Sequence, residues 1–289
     1  MQSKPQMIVE SAQPDRCEDP SSKVRGGKTQ VASFWSSNPC GSGLAGGLEP
    51  GTPEFFEVTE AIRYRREPFV RDFAQFEKWK GQWVLEVGCG MGADLSMFAR
   101  CGARAFGLDL TYTGSSLASR RLQHLGLVPR VTVGDSERLP FRDGTFDLVY
   151  SWGVIHHTPN TDAAAMELMR VARPGGKLVV MIYNRRSLVV LQAYLMYGLF
   201  RARPLASLKE IIASHLESPG TKAYTVNEVR QLFAGLKDLR VTPVVTPYDL
   251  RLGRNRFMPS WVAALVPSNL GYFLVVEGTK PGETGSSVL

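Results

Sequence analysis

The chain has 289 residues, 44% hydrophobic and 21% charged, enough apolar material for one large α/β domain or two modest ones. Thirty-four Lys and Arg against 27 Asp and Glu leave a formal charge of +7 and a pI near 9.3. That surplus suits an anionic ligand or surface, but it contains no lysine blocks of the kind nucleic-acid arms carry.

Cys17, Cys40, Cys89 and Cys101 form no Cys-x-x-Cys pair and no zinc-ligand spacing. The thiols therefore read as reduced, and no metal is expected. The N-terminus is polar and lacks the apolar core of a secretory signal, so a cytoplasmic chain is expected. The apolar run Leu188–Phe200 contains Gln192 and is shorter than the roughly 20 residues of a spanning helix. No membrane span is predicted.

Residues 1–30 lack periodicity and read as a disordered tail. Phe34 to Gly41 reads as a loop with aromatic anchors, and Pro53–Phe76 as helical. After Gly81 strands and helices alternate. Strands are predicted at 83–87, 105–108, 131–133, 146–150 and 178–182, with helices at 93–101, 115–125 and 163–172 between them. Such alternation signals a parallel sheet with helices on both faces. Two helix-like runs within 184–224 interrupt the pattern. Thr225-Val226-Asn227-Glu228 then reads as a capping box, and strand candidates follow at 241–245 and 272–277.

Five segments carry the chemistry. Glu86-Val87-Gly88-Cys89-Gly90-Met91-Gly92 ends the first strand, where glycines let the backbone turn and approach a ligand. The spacing of Gly88, Gly90 and Ala93 also satisfies a dinucleotide-site pattern, so this motif alone does not choose the cofactor. Asp109 ends the second strand and can accept two hydrogen bonds from a ribose diol. Asp135-Ser136 ends the third, where an acidic residue can take an adenine amine. Phe146 to His157 forms the fourth segment, and Arg173-Pro174-Gly175-Gly176 the fifth.

From Gly81 to Tyr183 this series resembles class I S-adenosylmethionine (SAM)-dependent methyltransferases, in the type-11 branch that includes ubiquinone/menaquinone C-methyltransferases. The likeness is weaker at Trp35–Pro39, Arg63-Tyr64 and His215–Thr225. It implies a Rossmann-like seven-stranded mixed sheet in the order 3-2-1-4-5-7-6, last strand antiparallel, with helices on both faces. It also implies SAM as cofactor, S-adenosylhomocysteine as product, and Glu86, Gly88, Cys89 and Gly90 around the methionine part. Asp109 would hold the ribose, Leu110 would face the adenine, and Asp135 and Ser136 would meet its edge. Ser151 would sit beside the donor. A dehydrogenase would need neither Glu86 nor the Asp135-Ser136 pair.

The domain boundaries follow: a tail to 30, an N-terminal lid and helical extension over 31–80, and a SAM-binding domain over 81–280. A substrate cap is expected at 184–224 and a flexible tail at 281–289. Candidate substrate or lid residues are Trp35, Tyr64, Trp152, His215 and Tyr224. The cap could equally be a decoration packed on the sheet or an oligomer contact. His157, and less so His156, could act as a base near the transferred methyl; alternatively the pair packs and caps the helix beginning near Thr161. Cys40 follows Asn38-Pro39 but precedes the first strand, which argues against a nucleophile. Arg185, Arg186, Arg201, Arg203, Arg251, Arg254 and Arg256 would favour an anionic acceptor only if they converge. The expected partner is a small, apolar or ring-bearing acceptor. The fourth strand lacks the Pro-Pro run of amide methyltransferases, which argues against nucleic acid. A SAM-binding protein without turnover is the remaining alternative.

Overall fold

The computed structural model describes residues 27–199, 207–250, 262 and 265–282. The N-terminal tail, Phe200 and the arginines at 201, 203, 251, 254 and 256 lie outside the described residues, as does most of the C-terminal tail. Among the described residues, seven strands form one sheet: β1 (Trp83–Val87), β2 (Arg104–Asp109), β3 (Val131–Val133), β4 (Phe146–Trp152), β5 (Ala172–Tyr183), β6 (Lys237–Val244) and β7 (Phe273–Thr279). Their order is β3-β2-β1-β4-β5-β7-β6, and β7 runs antiparallel to both neighbours. The expected topology is observed.

Central strands buried on both faces carry apolar residues at successive positions, as β4 does over Leu148, Val149 and Tyr150. Alternation divides them between two cores. Leu148 and Tyr150 join Phe76, Phe98 and Val179 on one side. Val149 joins Leu85, Leu168 and Phe233 on the other. Helices α4 (Ala93–Arg100) and α5 (Tyr112–His124) serve the first core, whereas α6 (Thr161–Val171) and α9 (Val226–Leu232) serve the second.

Before the sheet, α1 (Lys28–Ser37) occupies part of the expected tail and loop. No breaker stands between Gly27 and Asn38-Pro39, and Val31 buries itself, so the segment coils; Pro39 then disfavours continuation. The expected helix over 53–76 divides into α2 (Pro53–Arg66) and α3 (Val70–Ala74) at Pro68. Thr111 accepts a hydrogen bond from Gly114 N, starting α5 earlier than predicted. The predicted capping box at Thr225–Glu228 is present.

The insertion after β5 contains α7 (Leu188–Tyr197) and α8 (Leu208–His215). Its ends are tied where Arg185 N donates to Tyr224 O and Tyr224 N to Tyr183 O. Val189, Val190, Ala193, Ile211 and Ile212 are buried in the first core, so much of its apolar face packs on the domain. No helix among the described residues is long and apolar enough to cross a membrane.

Candidate active site

A cavity of about 780 Å³ opens at the carboxyl ends of β1 to β5, beneath α1 and the segment 38–44. Open parallel sheets place ligand crevices at this end because the loops diverge there. Glu86, Gly88, Cys89, Gly90, Asp109, Leu110, Asp135 and Ser136 all line it, as expected from sequence. Gly88 has φ +78°, and a Cβ there would lie 2.2 Å from Val154 Cγ2, so only glycine fits.

The Asp109 carboxylate is held from both sides. Its Oδ2 accepts from Gly90 N at 2.9 Å, and its Oδ1 from Thr111 N and Oγ1 at 2.9 and 2.7 Å. Glu86 is different. Its Oε2 is buried and has no partner, and burial, with Asp94 and Asp109 nearby, holds its carboxyl well above the usual range despite Arg63. Lys28 reaches from α1 to Asp135 Oδ2 at 2.5 Å and Glu137 Oε2 at 2.7 Å, fastening the helix across the cavity mouth.

A buried polar network supports the middle of the cavity. Arg63 donates to both oxygens of Asp94, at 3.0 and 2.5 Å. Tyr64 and Tyr150 hydroxyls donate to the same carboxylate at 2.8 and 3.0 Å. Burial opposes ionisation of Asp94, but the Arg63 charge and these donors outweigh it and hold its pKa below the usual value. Glu67 accepts from Trp152 Nε1 at 3.2 Å and from Tyr248 OH at 3.0 Å, and burial pushes its carboxyl up.

The far end is aromatic. Trp35, Trp152, Tyr183, Tyr248 and Phe273 line it with His157 and Glu217. Trp35 meets the His157 ring edge-on at 5.3 Å. The Tyr183 hydroxyl donates to Glu217 Oε2 at 2.5 Å. His157 Nδ1 meets Ser218 Oγ at 2.8 Å and Thr221 Oγ1 at 3.0 Å. Cys40 is exposed at the edge of the segment that covers the cavity.

Several expectations change. Tyr64 is a buried partner of Asp94 and does not line the cavity; its neighbour Arg63 does. Ser151 is buried on the strand face opposite Trp152, with no hydrogen-bond partner and no place in the cavity wall. His215 stacks on Tyr197 at 3.9 Å within the insertion, and Tyr224 closes the base of that insertion; neither lines the cavity. His156 is fully buried against Tyr183, outside the wall. The capping alternative for the histidines also falls, because Asn160 accepts from Ala163 N at the start of α6. Arg185 pairs with Glu228 and does not reach the cavity. Glu67 and Glu217 were missed, and Arg63 was named only as the neighbour of Tyr64. Arg63 and Glu67 stand four residues apart at the end of α2, a spacing visible in sequence; Glu217 had no such signal.

Residues 85–180 match a family model described as a methyltransferase domain, of type 11. Over 98 residues the chain is 31% identical to a sterol 4-C-methyltransferase from Caenorhabditis elegans, covering 33% of this chain and 29% of that protein. Over 149 residues it is 31% identical to norajmaline N-methyltransferase from Rauvolfia serpentina, covering 50% and 51%. The chain thus spans about a third to a half of these curated relatives. A similar fold occurs in magnesium protoporphyrin IX methyltransferase from Synechocystis, with TM-score 0.56, 15% identity, and coverage of 88% of this chain and 99% of that one. The likeness of motif, topology and sequence converges on one conclusion: residues 85–180 belong to the type-11 class I SAM-dependent methyltransferase family.

Proposed function

We propose that this protein is a SAM-dependent methyltransferase acting on a small, apolar or ring-bearing acceptor. The observation that carries the reading is the unpartnered Glu86 carboxylate oxygen beside a glycine turn and the Asp109 carboxylate. An ammonium group would complete Glu86, the glycine turn would admit the adjacent chain, and a ribose diol would share Asp109. Asp135 and Ser136 would meet the adenine edge, with Leu110 against its face. When bound, SAM supplies an electrophilic methyl on a sulfonium. This chain's residues would hold the acceptor against it and exclude water, since proximity and orientation can supply much of the acceleration.

The aromatic end supports a flat or apolar acceptor, as does the likeness to relatives named for a sterol and an alkaloid. Those names differ in the atom methylated, so carbon, oxygen and nitrogen acceptors all belong in the test. A cytoplasmic setting fits the free thiols of Cys40, Cys89 and Cys101. The direct assay incubates protein and tritiated-methyl SAM with a cell extract and identifies the labelled product. In parallel, Asp109→Ala should cost about 1–3 kcal/mol of S-adenosylhomocysteine affinity by calorimetry. Unchanged affinity in a folded variant, or donor binding without transfer across broad acceptors, would sink the reading.

A further inference from the structure

The histidine pair and Glu217 form a cluster that the proposed methyl transfer leaves unused. His156, His157 and Glu217 each offer one donor atom, and the three atoms lie within 4.8 Å of one another. His156 is completely buried, yet neither ring nitrogen has a partner. Buried polar groups almost always find one, so this ring calls for a ligand.

His157 is oriented from behind. Thr221 Oγ1, which donates to Ser218 O at 2.6 Å, and Ser218 Oγ meet His157 Nδ1 at 3.0 and 2.8 Å. Nδ1 is thus engaged behind the ring, and Nε2, buried without a hydrogen-bond partner, is the nitrogen left toward Glu217 Oε2, 3.2 Å away. Two ligands at ~2.05 Å from a tetrahedral metal stand about 3.3 Å apart, close to this spacing. Tyr183 donates to the same carboxylate and fixes it, as outer partners of metal ligands commonly do.

We propose that His156, His157 and Glu217 bind a divalent first-row transition metal, zinc in the first instance, with an open position facing the aromatic end of the cavity. Two imidazoles and one carboxylate suit zinc or iron better than magnesium or calcium. Glu217 and His157 line the cavity, so the open position would take a water or an oxygen of a bound molecule. Sequence spacing gave no hint, because two donors are adjacent and the third comes from a distant turn.

The full chain is dialysed against EDTA, then titrated with Zn²⁺ by calorimetry and with Co²⁺ by absorption spectroscopy, without methyl donor or acceptor. One zinc per chain and the visible bands of a four- or five-coordinate cobalt site are expected. Glu217→Gln and His156→Gln should each weaken Zn²⁺ binding at least ~10-fold, whereas Cys40→Ser should not. Glu217→Gln keeps its volume at a partly exposed position and decides the test if His156→Gln fails to fold. Stoichiometry far below one, affinity unchanged by Glu217→Gln, or binding lost in Cys40→Ser would overturn the site. No turnover is read, so failure here and failure of the methyltransferase reading remain distinguishable.

Discussion

Glu86→Gln isolates the group that most clearly waits for a ligand. In the free protein the carboxyl is buried beside Asp94 and Asp109, one oxygen is unpartnered, and its pKa stands well above the usual value. A ligand ammonium would need the ionised form, so binding should expel a proton from protein in which Glu86 is protonated. Affinity for S-adenosylhomocysteine should therefore rise with pH, up to tenfold per pH unit below the free-protein pKa. Calorimetry in buffers of different ionisation enthalpy reads that proton directly. A charge-assisted hydrogen bond is worth about 1.5–3 kcal/mol, so the variant should bind ~10- to 150-fold more weakly. Its pH slope should vanish. The same variant should stabilise the empty protein. A raised carboxyl contributes stability that is complete below its unfolded value and lost as pH rises through the folded one, and glutamine has no such loss. Affinity within twofold of the parent, with no proton released, would refute the assignment.

Asp94→Asn should destabilise the fold by about 3–5 kcal/mol in urea unfolding, because Arg63 and two tyrosines lose their shared anion inside the domain. The lowered pKa of Asp94 means its contribution is present above its unfolded value of 3.8 and lost as pH falls through the folded one. The variant should accordingly lose part of the acid limb of the stability curve; a cost below ~1 kcal/mol would count against the network. Asp249 behaves oppositely, its carboxyl raised by burial from 3.8 to about 6 although Thr246 and Tyr272 N–H groups donate to it. That contribution is full below 3.8 and fades as pH rises through 6, so Asp249→Asn should gain up to ~3 kcal/mol at pH 8 but little at pH 4. Equal effects at both pH values would contradict the shift.

Strand order and the residues of the cavity wall at the strand ends were legible because each follows a strand whose end the apolar run marks. The errors arose where direction, not position, decides. Ser151 and Trp152 are consecutive on β4, and alternation sends only one of them to the cavity: the cavity takes Trp152. Arg63 and Tyr64 are consecutive on α2, about 100° apart, and the pair could be recognised without knowing which member faces inward. Helix α1 was hidden by its serines and aromatics, since a short helix draws its stability from packing that sequence alone does not display. His215 and Tyr224 bracket the right segment, but periodicity has nothing to say about side chains on the turn between them.

That turn explains what the insertion contributes. Its helices bury their apolar residues on the domain, and among the described residues only Glu217 reaches the cavity wall. Glu217 has φ +51°, a left-handed conformation that costs a non-glycine residue about 1–2 kcal/mol. Glycine at this position would relieve the strain but remove the carboxylate. The conformation is held by the Tyr183 hydroxyl on one side and by the Ser218–Thr221 turn, which grips His157, on the other. Two helices and a strained turn thus deliver a second carboxylate, beside that of Glu67, to the aromatic end of the cavity. An apolar acceptor alone would gain nothing from it. A cation, or an acceptor with a polar hydrogen to place, would.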